Sequence, residues 1–156
     1  MSVLTTVRLQ DHVREMLEPF GGVAGPSGWE ERLPDAEGLI SLLTVKVDRG
    51  LLDQAPKLRI VANAVVGYDN VDVEACRARG VVVTNTPDVL TDATADFTWA
   101  LLLAVARRVC EADAFVREGR FEWWETTLLL GTELRGKTLG VVGFGRIGAA
   151  VARRAL

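Results

Sequence analysis

The sequence predicts an α/β protein: a parallel β-sheet covered by helices on both faces, followed by the opening strand–turn–helix of a second sheet. Three observations predict it. Apolar runs of strand length at 38–44, 58–63 and 81–85 are continuous rather than alternating, as strands buried on both faces are. Segments with helical spacing alternate with them, which is the β-α order of a parallel sheet. Near the end, 139–142 reads as a short buried strand. Gly143, Gly145 and Gly148 then form G-x-G-x-x-G, and 147–155 opens a helix; this context is what gives the glycine pattern meaning.

In order, 2–7 is a first strand. Leu9, Val13, Met16, Leu17 and Phe20 fall at helical spacing, closed by Pro19 and the Gly21-Gly22 pair. Residues 21–34, rich in Gly and Pro and holding Trp29, read as a loop with at most one weak strand. The strand 38–44 (GLISLLT) leads to a short helix over 48–54, closed by Pro56, and then to the strand 58–63. Asn70 is placed to cap a helix over 71–79. Gly80 ends that helix, and 81–85 is the next strand. A single long helix is expected over 91–118, with Asp92, Thr94 and Asp96 in its first turns, suited to the positive helix end. From Phe97 to Ala106 it is apolar all round except for Thr98. A helix apolar on every side is expected to be buried on every side, between two lobes or two subunits. The arm 118–136 carries Phe121, Trp123, Trp124 and Leu128–Leu130. That much apolar surface calls for cover, either from a partner chain or from the chain's own body.

With 156 residues, 49% hydrophobic and 25% charged, the composition is that of an ordinary globular protein. A net charge of −3 gives no bulk attraction to nucleic acid or anionic membrane. The longest apolar run, 97–106, is far short of the ~20 residues that span a bilayer, and residues 1–7 lack the pattern of a signal peptide, so a cytoplasmic protein is expected. Cys76 and Cys110 form no C-x-x-C and point to neither a disulfide framework nor a metal site.

The glycine pattern carries the first chemical signal. Its first glycine permits a tight turn, the second lets the backbone approach a pyrophosphate, and the third lets helix and strand pack closely, with the helix N-terminus holding the phosphates. A second signal lies in the loop 65–70, at the carboxyl end of a predicted parallel strand, where ligands of such sheets bind. Gly67 either lets backbone amides there turn toward an anion or merely serves the turn. His12, the only histidine, sits at the edge of an apolar helical stripe without an acid–base partner and reads as a surface residue. Lys46 stands near a strand end, facing either a substrate or solvent.

Taken together, VVGYDNVD (65–72), NTPDVLTDATADFTWALLLAVARR (85–108) and GKTLGVVGFGRIG (136–148) resemble the D-2-hydroxyacid dehydrogenase family in residues, order and spacing. The likeness runs from about Gly38 to Leu156. VLTDATAD, ALLLAVARR and the later WWETTLLLGTEL are most similar to its glyoxylate/hydroxypyruvate reductase branch. The resemblance implies a flavodoxin-like parallel-sheet substrate lobe in 1–88. It implies an interlobe helix, a dimer arm and the start of a Rossmann NAD(P)-binding lobe in 89–156. The implied chemistry is reversible hydride transfer between NAD(P)H, with NADP favoured by the branch, and a small 2-keto acid such as glyoxylate or hydroxypyruvate. Val66 and Gly67 match positions whose backbone amides hold the substrate carboxylate. Thr94 matches a threonine near the nicotinamide, and Gly145, Arg146 and Ile147 match residues at the pyrophosphate. Trp124 matches a tryptophan on the dimer arm that reaches toward the neighbour's active site, so a homodimer through the long helix and the arm is implied.

In the family, the arginine that polarises the carbonyl and the histidine tuned by a glutamate follow the glycine motif, so catalytic residues are expected beyond Leu156. The acid that reads the ribose, ~20 residues past the glycines, is expected there too. The chain is therefore read as an N-terminal part that is inactive alone; NADPH turnover with glyoxylate by these 156 residues would refute that. Without its sheet neighbours, 139–142 is expected to be disordered or to pair with the same segment of a second molecule. Another family activity, such as phosphoglycerate dehydrogenase, is the alternative, and a non-catalytic dimerisation module is the rival from a different class. An open frame past codon 156 that supplies Arg, Glu and His would separate enzyme from module.

Overall fold

In the computed structural model, which describes residues 2–156, the chain divides into two compact units, Met1–Val89 and Leu90–Leu156. The first unit is built on β1 (Val3–Thr5), β2 (Val23–Ala24), β3 (Gly38–Ser41), β4 (Ile60–Asn63) and β5 (Val82–Thr84). They form one sheet in the order β2-β1-β3-β4-β5, and every neighbouring pair is parallel. The register sets Val3 beside Gly38, Gly38 beside Ile60 and Ile60 beside Val82. The chain runs outward from β1 to β2, then returns across β1 to lay down β3, β4 and β5. Strand order therefore reverses between β1 and β3, and in open parallel sheets ligands bind outside the carboxyl ends at such a point.

Apolar burial drives this arrangement. Leu4, Leu39 and Val61 of the strands meet Leu33, Leu52, Leu58, Ala75 and Cys76 in one core, and each fully buried leucine there contributes about 1.5–3 kcal/mol. Burial also raises the Cys76 thiol above its ordinary pKa. The expectation of strands buried on both faces holds at the centre, where β1 is wholly buried and β3 nearly so. It fails at β5, where Val82 and Thr84 are exposed, because an edge strand is covered less. The loop 21–34 contains β2 and runs into a 3-10 turn, Glu30–Asp35, that buries Leu33.

Three helices serve this sheet: α1 (Asp11–Leu17), α2 (Arg49–Gln54) and α3 (Val73–Ala78). Asp48 and Asp72 cap the second and third, accepting from the Leu51 and Ala75 N–H groups at 3.2 and 2.8 Å. The bond from Leu51 also holds the Asp48 carboxyl below its usual pKa. Asn70 is therefore not the cap that its position suggested. Its side chain is engaged elsewhere, donating to the Leu42 and Val45 carbonyls, and the aspartate two residues later stands at the helix start.

The second unit holds α4 (Thr91–Ala106), α5 (Val109–Arg117) and α6 (Arg146–Arg153). The single helix expected over 91–118 is in fact two. Arg108 takes a left-handed backbone, φ 56°, which a right-handed helix cannot pass through. The returning arm seals the break. Thr132 N–H donates to the Ala106 carbonyl at 2.6 Å, satisfying one of the acceptors that a helix end leaves open. α6 packs on α4 through Ala95, Ala150 and Val151, flanked by Trp99, Leu139 and Ile147. Trp99 Nε1–H donates to the Val151 carbonyl at 2.9 Å, and Arg154 pairs with Asp96 at 2.6 Å and Asp92 at 3.1 Å.

Only Ala95 of α4 is buried, while Phe97, Leu101, Leu103 and Val105 are exposed. Among the described residues α6 covers one side of α4, and the other sides are exposed in the chain by itself. Residues 139–142 belong to no strand, and Val142 is fully exposed. A strand needs a neighbour for its N–H and C=O groups, and none of the described residues provides one. Among the described residues, no helix is long and apolar enough to cross a membrane.

Candidate functional site

In the first unit the loop 65–70 leaves the carboxyl end of β4, one strand beyond the pair that flanks the reversal. Three polar residues placed at or just past the ends of apolar strands shape it: Ser41 ends β3, Asn63 ends β4 and Asn85 follows β5. Ser41 and Asn63 are buried. Ser41 Oγ–H donates to Asn63 Oδ1 at 3.0 Å. Asn63 Nδ2 donates to the Gly67 carbonyl at 2.9 Å and to Asn70 Oδ1 at 3.1 Å. Asn85 Nδ2 donates to the Val66 carbonyl at 2.8 Å, and the Thr86 N–H donates to the Val65 carbonyl at 3.0 Å. On the other side, Asn70 ties the loop to the turn after β3 through the Leu42 and Val45 carbonyls, at 3.2 and 2.9 Å.

Val66 and Gly67, the two residues singled out for a carboxylate, are half-buried in this loop. Among the described residues, neither amide N–H donates to any acceptor. Gly67 is not left-handed, and a Cβ built on it would make ordinary contacts with Asp69 Oδ2 at 3.5 Å and Leu43 Cδ2 at 3.8 Å. The turn itself does not require glycine. Gly67→Ala is accordingly expected to leave the folding free energy of the first unit within about 1 kcal/mol of the parent, or to raise it slightly. Thermal unfolding followed by circular dichroism checks this, and a larger loss would mean that the backbone here is strained.

The glycine loop of the second unit divides its work among the three glycines. Gly143 supplies the left-handed turn, φ +85°. Gly145 is the residue before α6, and apart from its chain neighbours no atom lies within 4 Å of where its Cβ would stand. Gly148 lies so close beneath the loop that a Cβ would sit 2.2 Å from the Gly143 carbonyl oxygen. Arg146 and Ile147 form the first turn of α6, where helix N–H groups have no acceptors within the helix. Open space over the second glycine, a helix N-terminus facing it and close packing under the third form a cradle that fits a pyrophosphate. Thr94 lies in the first turn of α4, half-buried, with its N–H bonded to the Leu90 carbonyl. Trp124 is exposed on the arm.

Of the remaining candidates, Lys46 stands in the turn joined to the loop 65–70, between Val45 and Val47, both of which bond to Asn70. His12 is exposed on α1. Lys46 is exposed and pairs with Asp48 at 3.7 Å. Cys76 is buried and Cys110 exposed, both as free thiols. Among the described residues, no group of acidic, histidine or cysteine side chains could hold a metal ion. Sequence reasoning missed Ser41, Asn63 and Asn85. The available signal was a polar residue closing each of the apolar runs GLIS, IVAN and VVTN.

Residues 26–142 match the D-isomer specific 2-hydroxyacid dehydrogenase catalytic domain. The chain is 56% identical over 131 residues to the glyoxylate reductase of Thermococcus gammatolerans, covering 80% of this chain and 39% of that protein. It therefore spans about two fifths of the relative's length. Among solved structures, a Thermus thermophilus protein superposes with a TM-score of 0.91 at 46% identity, over 99% of this chain and 52% of its own. The NADPH-dependent glyoxylate/hydroxypyruvate reductase of Sinorhizobium meliloti, solved with NADP and malonate, gives 0.82 at 38% identity, over 99% of this chain and 49% of its own.

Proposed function

The chain belongs to the D-isomer specific 2-hydroxyacid dehydrogenase family, and from that premise we propose that the protein carrying it reversibly transfers hydride between NADPH and a small 2-keto acid, glyoxylate or hydroxypyruvate. The observation that carries the proposal is the glycine loop, with a left-handed Gly143, an open Gly145 and a closely packed Gly148. The names of the relatives support the substrate, and the NADPH-dependent reductase among them supports NADP.

A bound nicotinamide dinucleotide would supply the hydride. Gly145, Arg146 and Ile147 hold its pyrophosphate through the N-terminus of α6, with Gly143 and Gly148 shaping the loop, and Thr94 stands toward its nicotinamide end. The amides of Val66 and Gly67 hold the keto acid's carboxylate, fixing the face of the carbonyl that reacts. The arginine, glutamate and histidine that the reaction calls for are assigned to no residue of this chain. Residues 1–88 serve the substrate and 89–156 the cofactor and the subunit contact.

The partner is a second copy of the chain, in the cytoplasm. The exposed Phe97 and Val105 of α4 and the exposed Phe121, Trp123 and Trp124 of the arm support this, since large exposed apolar surfaces on proteins mark contacts. Trp124 reaches the partner's substrate.

The test is to purify the protein that carries this chain, size it by sedimentation and follow NADPH oxidation with glyoxylate, hydroxypyruvate and a phosphorylated 2-keto acid. Turnover with either of the first two by a dimer is expected. Turnover with the phosphorylated acid alone moves the protein to another branch, and turnover with none overturns the proposal.

A further inference from the structure

The loop 65–68 is held in an orderly way. Three consecutive carbonyls, those of Val65, Val66 and Gly67, each accept one bond, from the Thr86 N–H, Asn85 Nδ2 and Asn63 Nδ2 respectively, at 3.0, 2.8 and 2.9 Å. The peptides between them are trans, the cis bond of the described chain being Gly25–Pro26. In a planar trans peptide the N–H points away from the C=O of the same unit. Fixing the Val65 carbonyl therefore aims the Val66 N–H, fixing the Val66 carbonyl aims the Gly67 N–H, and fixing the Gly67 carbonyl aims the Tyr68 N–H. None of these three N–H groups donates to an acceptor among the described residues. The donors come from the ends of β4 and β5, and the amides are turned the other way.

We propose that Asn85 is a positioning residue for carboxylate binding: its side-chain amide holds the Val66 carbonyl and so presents the Gly67 N–H, while Asn63 does the same for Tyr68, whose amide becomes a third donor to the anion. The proposal rests on the carboxylate role given above to Val66 and Gly67, and it extends that role in two ways. It adds a donor, and it names the side chains that keep the donors pointed outward before any ligand arrives. Preorganisation matters because an amide free to rotate must be ordered at the moment of binding, which weakens the complex. Asn85 rather than Asn63 is the residue to test. It lies half-buried just past the edge strand, whereas Asn63 is buried in the network that holds the unit together.

The probe is oxalate, a planar two-carboxylate mimic of a 2-keto acid, titrated into the isotope-labelled 156-residue chain while backbone amides are followed by NMR. In the parent chain the Val66, Gly67 and Tyr68 amides are expected to shift together. Asn85→Ala is expected to weaken oxalate by roughly three- to tenfold, the share of one hydrogen bond, with its thermal midpoint kept. Asn85→Asp separates positioning from space-filling, since it keeps the shape and, ionised, has no proton to donate; the same loss is expected. Parent-like affinity in either variant overturns the positioning role and leaves the Val66–Gly67 reading in place. A shift of Val66 and Gly67 without Tyr68 overturns the third donor. No shift of Val66 and Gly67 in the parent overturns the carboxylate reading and this proposal with it.

Discussion

Asn63→Ala is expected to destabilise the first unit by roughly 2–5 kcal/mol, the sum of a small cavity and the buried polar groups left without partners. The side chain is buried and makes several bonds: it accepts from Ser41 Oγ and donates to the Gly67 carbonyl and Asn70 Oδ1. Removing it strands the Ser41 hydroxyl, itself buried, and frees the Gly67 carbonyl beside the core. A loss of that size is a large fraction of the roughly 5–15 kcal/mol that holds an ordinary domain together. Urea unfolding followed by far-ultraviolet circular dichroism measures it. A loss under about 1 kcal/mol would show that water takes over the vacated bonds.

Gly148→Ala is the second large effect. The added Cβ would stand 2.2 Å from the Gly143 oxygen and 3.2 Å from its carbon, both backbone atoms that no rotamer change can move aside. Either the loop 143–145 lifts or α6 shifts, at a cost of about 1–3 kcal/mol, as overpacking usually brings. α6 is tied to α4 by the Trp99–Val151 hydrogen bond and the Arg154 ion pairs. The shift should therefore be read as faster hydrogen exchange through α6 and at the Trp99 indole N–H. Unchanged exchange in both, with unchanged thermal stability, would mean that the loop yields freely and that the close approach is not what makes glycine necessary here.

Much of this was legible in the residues. The continuous apolar runs identified a parallel sheet, and the three glycines, each in a different conformation or contact, were readable from their spacing. Other features depended on what surrounds a residue. Nothing local marks Arg108 as left-handed: the break between α4 and α5 depends on the returning chain, where a Cβ on Gly131 would lie 2.5 Å from the Ala106 oxygen and Thr132 takes that oxygen as acceptor. Asn70 carries a capping residue's chemistry, but its amide is drawn to the turn after β3, a partner distant in sequence. The apolar stripe of α4 announced a need for cover and could not say how much of it α6 provides. The clamp on 65–68 joins the ends of two strands, so it exists only once β4 and β5 are side by side.

That sheet order also bears on how the chain reaches its native state. β1 is the first strand made, yet it pairs on one side with Val23 and Ala24 and on the other with residues 38–40. It can dock fully only after β3 has been synthesised and the crossover has closed. β3, β4 and β5 follow one another around the sheet and need only successive β-α steps. Parallel pairing of this kind brings loop-closure entropy ahead of its reward and slows folding. A nascent chain thus leaves both edges of β1 open until residues 23–24 and 38–40 have been made, so the first strand waits on two later segments for its partners.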